Sequence, residues 1–320
     1  MKRFSFAFAA LVFALASAAA QDWPPKTVRI MVPFGAGSTP DIVARLLAEN
    51  LQQKYPASAF VVENKPGAGG NTGTDAVAKA ESDGATIGVS IGGPLAINTL
   101  LFSKMPYDPF KDLALITMLT LQPSALAVPA NLGVNNVAEL VALIKKDPDK
   151  YNFGSIGNGS LSHLAMEAIA IRSGTKLVHL PFASSPQAMT ALIRNDVQMV
   201  VMPATSVLPH VQAGTVKLIA ITSPKRSALL PDVPTLKESG IDVEADLWNG
   251  LIAPAGTPQP VLDKIRRAVA DAIHSKDVKD KLAVQLMEPV GNTPAEFKAQ
   301  IDGDLARWAP VIKEAGIKVN

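Results

Sequence analysis

The hydrophobic and polar positions of this chain follow two periods in turn, and that alternation predicts an α/β fold. Runs in which every second residue is apolar or β-branched predict strands, such as those at residues 27–32 and 86–90. Between such runs, apolar residues recur three and four positions apart and predict helices, such as those at residues 41–53 and 258–274. Strands that alternate with helices imply a mostly parallel sheet with helices on both faces.

The same two patterns predict further strands and helices along the remaining chain and indicate its division into two domains. Further strands are predicted at residues 60–63, 113–119, 125–128, 151–155, 176–180, 197–202, 216–222 and 242–253. Further helices are predicted at residues 75–80, 96–101, 137–146, 161–173 and 294–316, with another opened by Pro186. If the extended runs near residues 112–128 and 242–253 each cross between domains, the middle of the chain forms one domain and the two ends form the other. We therefore expect residues 21–123 and 247–320 in domain 1 and residues 124–246 in domain 2.

The first twenty residues have the layout of a cleavable secretory signal peptide. Lys2 and Arg3 form a charged start, residues 4–16 form an apolar run, and three alanines at residues 18–20 form a small-residue cleavage site. The apolar run is too short for a comfortable membrane span. The chain has no cysteine that could be lipidated after cleavage. We therefore expect an exported, free and soluble mature protein.

Charge and composition exclude several function classes. Without Lys2 and Arg3, 28 of the 30 basic residues remain, against 28 acidic residues, and this balance argues against nucleic acid or acidic membrane surfaces as partners. The absence of cysteine excludes disulfides, redox thiols and thiolate metal sites. The four histidines are scattered, so no metal site is expected. The glycine-rich loop at residues 67–73 lacks the phosphate-loop and dinucleotide fingerprints, so no cofactor is expected either.

The first candidate binding loop follows the strand at residues 27–32. A loop of small residues precedes Thr39 and Pro40, which are predicted as the N-cap and the first position of a helix. Free backbone N–H groups at the positive end of a helix can receive an anion without a cationic side chain. An ordinary β–α turn is the alternative interpretation. The candidate ligand-binding residues in this loop are Phe34, Gly35, Ala36, Gly37 and Ser38.

A second loop of the same kind lies in the middle of the chain. A strand again leads through glycines to a predicted helix cap, Ser160, and residues 34–40, 155–162 and 182–190 contain no Lys, Arg, Asp or Glu. Ligands of open α/β sheets bind at the carboxyl ends of strands, so the two turns could hold one anion from both sides of a cleft. The candidates in the second loop are Ser155, Asn158, Gly159 and Ser160, and further candidates are Ser90, His163, Phe182 and Thr205.

His163 allows two interpretations. Paired with Ser160, it could serve a secreted hydrolase, although no Gly-x-Ser-x-Gly elbow surrounds that serine. The interpretation that we prefer is a buried hydrogen bond from His163 that holds the loop, with no catalysis. Trp23 and Trp248 are interpreted as packing residues, whereas Phe182 is the better candidate for an apolar ligand contact.

Taken in order, several motifs resemble those of the periplasmic receptors of tripartite tricarboxylate carriers, the Bug family. They are Pro-Phe-Gly-Ala-Gly at 33–37, Glu-Asn-Lys-Pro-Gly-Ala-Gly-Gly-Asn at 63–71, Gly-Asn-Gly-Ser at 157–160, Leu-Pro-Asp-Val-Pro-Thr at 230–235 and Ala-Pro-Ala-Gly-Thr-Pro at 253–258. The resemblance implies a type II periplasmic-binding-protein fold, with two mixed-sheet α/β domains joined by two hinge strands. It also implies a monomeric periplasmic receptor that closes on a small carboxylate, partly through water, and passes it to membrane transporter subunits.

Two departures from the family pattern bear on the ligand. Ser38 stands where the family often has a second glycine, and residues 182–184 replace a Tyr-Lys-Gly stretch. Without that lysine, a less charged or more aromatic ligand is favoured. A receptor that feeds a membrane sensor instead of a carrier is the remaining alternative.

Overall fold

The computed structural model describes residues 23–148 and 150–319, and the signal peptide predicted at residues 1–20 lies outside them. The strands are β1 (Thr27–Val32), β2 (Ala59–Asn64), β3 (Thr86–Ile91), β4 (Leu113–Gln122), β5 (Ser124–Pro129), β6 (Asn152–Ser155), β7 (Val178–Pro181), β8 (Met199–Pro203), β9 (Val216–Ile221), β10 (Leu247–Pro254) and β11 (Glu288–Pro289). The α-helices are α1 (Thr39–Lys54), α2 (Asn71–Ala78), α3 (Asn98–Leu101), α4 (Val137–Lys146), α5 (Leu161–Ser173), α6 (Ser185–Ile193), α7 (Ala204–Gln212), α8 (Gln259–His274), α9 (Lys276–Val284) and α10 (Pro294–Glu314). Within these described ranges, no helix combines the length and the apolar run that a membrane crossing needs.

The strands form two mixed sheets, one in each of two α/β domains. The first sheet has the order β11-β4-β10-β3-β1-β2, and the second has the order β7-β6-β8-β5-β9. In the first sheet β2, β1 and β3 are parallel, whereas β10 is antiparallel to both β3 and β4. The mixed sheets implied by the resemblance are confirmed. The mostly parallel sheet expected from the strand–helix alternation is wrong, because the strands that carry the chain to the second domain and back run in opposite directions.

Two connections join the sheets and lie side by side. β4 passes into β5 through Pro123 alone, and residues 222–246 lead from β9 back to β10. At this crossing Gln122 pairs with Leu247 across β4 and β10. The arrangement has the geometry of a two-strand hinge, while the predicted domain boundaries at 123/124 and 246/247 stay a prediction.

The last helix, α10, contributes side chains to two hydrophobic cores. Near its start, Phe297 packs in the same core as Trp248, beside the first sheet. About three to four turns later, Trp308 and Ile312 pack in the core that contains Phe153 of the second sheet. Helix α10 therefore bridges the two domains.

Some elements differ from their predicted forms. Helices α7 and α9 were not predicted, because Pro209 interrupts the helical pattern of α7 and α9 is short and mostly polar. The strand predicted at residues 242–253 begins only at Leu247. Helix α2 begins at Asn71, inside the glycine-rich loop, four residues before the predicted start.

Candidate functional site

A cavity of about 340 Å³ lies between the two domains, and most of the residues that line it are apolar. From the first domain and α10 its lining includes Phe34, Gly92, Ile97, Asn98, Leu101, Phe102, Trp248 and Asp304. From the second domain and the connection to β10 it includes Ile156, Asn158, Gly159, Ser160, Leu161 and Asp246. Both predicted loops therefore reach one cavity, from opposite sides.

The loop after β1 is held by a carboxylate from its own helix. Helix α1 begins at Thr39 with Ser38 as its N-cap, so the predicted cap at Thr39 is wrong by one residue. Asp41 Oδ2 accepts a hydrogen bond of 2.8 Å from the N–H of Gly37. The positive end of α1, which was expected to receive the ligand, is thus partly occupied by the chain's own anion.

The ionised form of Asp41 is stabilised by a small network. Burial by itself would raise the pKa of Asp41, but hydrogen bonds from Arg45, Gly37 and Asn64 outweigh it and hold that pKa below its usual value. The Nδ2 atom of Asn64 donates to Asp41 Oδ1 and to the carbonyl of Phe34, both at 2.9 Å. These bonds fix the loop that presents Phe34 to the cavity.

The loop before α5 is held by its own side chains. Ser160 caps α5, since its Oγ accepts from the N–H of His163 at 3.4 Å while it donates to the carbonyl of Gly157 at 2.7 Å. The N–H of Gly159 donates to His163 Nδ1 at 3.0 Å in the protein interior. This bond confirms the prediction that His163 anchors the loop.

Three stacked rings support the second loop. The ring centroids of His163 and His179 are 3.7 Å apart, and Phe153 stacks against both, with its centroid 4.9 Å from that of His179 and 5.9 Å from that of His163. His179 Nε2 lies 2.6 Å from Ser155 Oγ. Burial, and after it the neighbouring His163, lowers the pKa of His179 to about 4. The imidazole of His179 is therefore neutral throughout the weakly acidic range.

We expect His179 to make the protein less stable as the pH falls from 7 to 4. The unfolded imidazole binds a proton near pH 6.5 and the folded one only near pH 4, so the stability contributed by the neutral ring is complete above pH 6.5 and is lost on acidification. Because the ring is partly exposed, this loss is on the order of 2 kcal/mol. Denaturant unfolding at pH 7, 5.5 and 4.5 measures it.

His179→Gln and His210→Gln form a matched pair for this measurement. The imidazole of His210 makes no hydrogen bond within the described residues, so His210→Gln should keep the wild-type pH dependence. His179→Gln should show a weaker dependence. The same pH dependence in all three proteins would contradict the assignment to His179.

Gly159 brings the second loop into contact with the first domain. Its φ is +75°, and a Cβ atom at this position would lie 2.7 Å from Leu101 Cδ1 and 2.9 Å from Val319 Cγ2. Next to it, Asn158 Nδ2 donates to the carbonyl of Lys318 at 2.8 Å. The second loop, α3 and the residues after α10 therefore form one continuous wall of the cavity.

Two carboxylates line the cavity and differ in how well they are hydrogen-bonded. Asp304 accepts from Trp248 Nε1 at 2.8 Å and from Arg307 Nη1 at 2.9 Å, although burial still raises its pKa. Asp246 Oδ1 accepts from Ser223 Oγ at 2.8 Å, while Asp246 Oδ2 is buried and has no partner in the described chain. Among the described residues, no Lys or Arg lines this cavity.

Comparisons with known proteins assign the chain to a receptor family. The model described as "Tripartite tricarboxylate transporter family receptor" matches residues 43–317. The chain belongs to this family. The receptor is 33% identical over 306 residues to protein BugT of Bordetella pertussis, and the match covers 95% of this chain and 94% of BugT.

Solved structures agree with that assignment. A protein of R. palustris with adipate is similar to this receptor with a TM-score of 0.82 and 31% identity, over 93% of this chain and 99% of the other. MatC of Rhodopseudomonas palustris with bound malate is similar with a TM-score of 0.76 and 29% identity, over 91% of this chain and 100% of the other. These relatives bind solutes, and this chain is likewise a receptor and not an enzyme.

The hydrolase considered from the sequence is therefore wrong. The hydrogen bonds of Ser160 and His163 explain why these two residues resembled a catalytic pair. His163 Nδ1 accepts from a backbone N–H, and Ser160 Oγ donates to a backbone carbonyl. The serine and the histidine are close because both hold a helix N-terminus, and neither activates the other.

The cavity of the receptor gathers four of the predicted ligand-binding residues, which are Phe34, Asn158, Gly159 and Ser160. The remaining nine are not part of its lining. They are Gly35, Ala36, Gly37, Ser38, Ser90, Ser155, His163, Phe182 and Thr205. The first four of these shape the turn behind Phe34, and Ser155 and His163 support the second loop from inside the domain.

Three of the predicted residues have partners away from the cavity. Ser90 Oγ lies 3.2 Å from Thr74 Oγ1 in the interior of the first domain. Phe182 packs in a core of the second domain. Thr205 accepts from Gln122 Nε2 at 3.2 Å beside the hinge. Periodicity places such residues on an element but does not show which face of the element meets the other domain.

Sequence reasoning missed five polar or aromatic residues of the lining, which are Asn98, Phe102, Asp246, Trp248 and Asp304. Trp248 was interpreted as a packing residue; it packs on Phe297 with ring centroids 5.4 Å apart and also lines the cavity. Asp246 lies two residues before it in an extended run, a spacing that places both on one face and could have indicated a site. Asn98 and Asp304 carried no comparable signal, because their elements reach the cavity only through the tertiary fold.

Proposed function

We propose that this receptor works in the periplasm, captures a small organic carboxylate between its domains and delivers it to a tripartite tricarboxylate-type membrane transporter. The observation that carries the proposal is a single cavity lined by a loop from each domain. Adipate and malate in the solved structures of two relatives support the carboxylate class.

The start of α5 is the best place for the ligand carboxylate. The N–H groups of Leu161 and Ser162 make no hydrogen bond within the described chain, because Ser160 caps only the third N–H of the helix. These groups lie at the positive end of a 13-residue helix, which favours an anion. Phe34 and Trp248 cover the apolar part of the ligand. Binding through helix ends and neutral groups suits a receptor that must also release its cargo.

Capture in this proposal requires rotation about the two connections near Pro123 and residues 222–246. The domains that move are residues 21–123 with 247–320, and residues 124–246. Export through cleavage of residues 1–20 and action as a monomer belong to the same proposal. A receptor for a membrane sensor remains the second candidate, since capture and closure would be the same.

A thermal-shift screen of the mature chain tests capture. We expect at least one acid from a panel of mono-, di- and amino-carboxylates to raise the melting temperature by about 5 °C. Ligand at ~100 times its dissociation constant adds about 2.7 kcal/mol, and 1 kcal/mol corresponds to roughly 2 °C in a chain of this size. The matched primary amides are the control, because they keep the shape and lose the charge. Shifts from amides equal to those from acids would contradict carboxylate capture.

Delivery is tested separately from capture. Cells that contain the transporter membrane subunits should take up the captured acid only when the receptor is present. Capture without receptor-dependent uptake would instead support the sensor.

A further inference from the structure

We propose that the ligand of this receptor also carries a cationic nitrogen, and that Asp246 binds it, so that the cavity selects amino-carboxylates over dicarboxylates. This inference rests on the proposed capture of a carboxylate and narrows its chemical class. It depends on the position of one carboxylate oxygen, on the charges around the cavity and on the aromatic rings beside it.

The decisive atom is Oδ2 of Asp246. Oδ1 of the same carboxylate accepts from Ser223 Oγ at 2.8 Å and from Thr222 Oγ1 at 3.1 Å, which fixes the side chain in the connection before β10. The backbone of Ser124 also lies close enough to lower the pKa of this carboxylate, but no hydrogen bond reaches Oδ2 in the described chain, where that atom is buried and Asp246 lines the cavity. A buried carboxylate oxygen without a donor is costly, and a bound ammonium group would remove that cost.

Asp246 has no paired cation within the described chain, although Lys225 and Arg226 line a second, neighbouring pocket with it. Burial, as the largest cause, raises its pKa to about 6, so the group is ionised at neutral pH in spite of its burial. No ion pair joins it to a Lys or Arg of the described residues. Asp304, the other acid of the lining, differs because Arg307 Nη1 lies 2.9 Å away. Asp246 therefore gives the lining of the cavity a net negative charge.

The second carboxylate of a dicarboxylate would lie near the negative charge of Asp246. At the low effective dielectric of the cavity, repulsion between the two carboxylates would oppose binding. A zwitterion would instead place one charge at each end. Its carboxylate would meet the N–H groups at the start of α5, and its cation would meet Asp246. The cavity lining thus combines the partly positive start of α5 with the negative charge of Asp246, and this combination suits such a ligand.

Neighbouring groups also suit a cation. Phe34, Phe102 and Trp248 line the cavity, and aromatic faces attract ammonium groups. Asn98 Nδ2 donates to Gly69 O and to another asparagine, so its carbonyl oxygen Oδ1 is left as an acceptor without a partner in the described chain. The polar atoms that remain open near the rings are therefore acceptors, which match a ligand that donates.

Isothermal titration at pH 7.5 with matched acids tests the proposal on the mature chain. The probes are 3-aminopropanoate, 4-aminobutanoate and 5-aminopentanoate, each against its deaminated and its hydroxy counterpart, with adipate as the dianion. We expect at least one amino acid to bind 10-fold or more tightly than both counterparts. Three lengths are used so that one chain can span the distance between α5 and Asp246.

Asp246→Asn is the informative variant, and Asp242→Asn is its control. Asp242 lies four residues earlier, is exposed and forms an ion pair with the surface Lys237, so its variant makes the same change in net charge outside the cavity. Asp246→Asn should weaken the amino acid about 10- to 100-fold, as loss of a charged hydrogen bond implies, and should strengthen adipate. Asp242→Asn should leave every affinity within twofold.

Three binding results would overturn the proposal. They are tighter wild-type binding of adipate or the deaminated acids, equal binding of the hydroxy acids, and unchanged affinity of the amino acids in Asp246→Asn. Binding of any of these carboxylates would leave the proposed function standing, whereas binding of none would count against both. In the ligand-free protein at pH 7.5, Asp246→Asn should raise the melting temperature by a few degrees. A fall would assign Asp246 a structural role and overturn the proposal.

Discussion

Gly159→Val is expected to weaken ligand binding at least 100-fold, or by about 2.7 kcal/mol, in a protein that still folds. The new Cβ would lie 2.7 Å from Leu101 Cδ1 and 2.9 Å from Val319 Cγ2, and the φ of +75° disfavours a β-branched residue. The second loop must therefore move away from α3, and the N–H groups at the start of α5 move with it. The cavity would then lose the proposed carboxylate site. Isothermal titration with the acid that gives the largest thermal shift measures the loss.

Gly214→Val is the matched control for backbone strain. Gly214 has a φ of +70°, and no atom lies within 4 Å of its added Cβ. Both variants should lose similar stability, on the order of 1–3 kcal/mol. Only Gly159→Val should lose affinity. Wild-type affinity in Gly159→Val would remove this loop from the site.

Gly250→Ala is expected to destabilise the protein by about 3 kcal/mol, at the upper end of the range for a methyl group added to a packed core. Gly250 lies in β10 between β3 and β4, and the ring of Phe297 lies against its backbone. A Cβ here would lie 2.8 Å from Phe297 Cε2 and 2.9 Å from Cε1, with Cζ closer still. The ring cannot move away, because Trp248 packs on it edge to face. Denaturant unfolding measures the loss.

A double-mutant cycle tests whether Phe297 is the cause. In Gly250→Ala with Phe297→Leu, the summed single losses should exceed the measured loss by at least about 1 kcal/mol, since the two residues are in contact. Gly303→Ala in α10 is the control, because nothing lies within 4 Å of its added Cβ. That variant should be neutral or up to about 1 kcal/mol more stable. Additive losses in the cycle would show that the ring is not responsible.

Local signals allowed much of the fold to be predicted. Helix α5 and strand β1 have their predicted bounds, and α10 begins at its predicted first residue, Pro294, where Thr293 and Glu296 cap it. These features depend on neighbours within four residues, which the sequence shows directly. The anchor role of His163 belongs to the same class, because Gly159 is four residues away.

What the sequence could not predict depends on distant partners. Whether the start of α1 is open to a ligand depends on Asp41, because its carboxylate accepts from the N–H of Gly37. It also depends on Asn64 of β2, which donates to the same carboxylate. The charge of the cavity depends on Asp246, which was not noticed because only the charge-free loops were considered. The sequence shows which residues carry a carboxylate or an amide. Which oxygen of such a group is left without a hydrogen bond depends on residues that are distant in the sequence.

The bridging helix α10 limits how the receptor can move. It runs for 21 residues, about 30 Å, and contains Pro310 between Trp308 and Ile312, where the missing N–H weakens the helical hydrogen bonding. Trp308 is only 1% exposed, so any motion that draws the domains apart at α10 would bring its ring into water. The last helix therefore sets part of the energetic cost of opening the receptor to a solute.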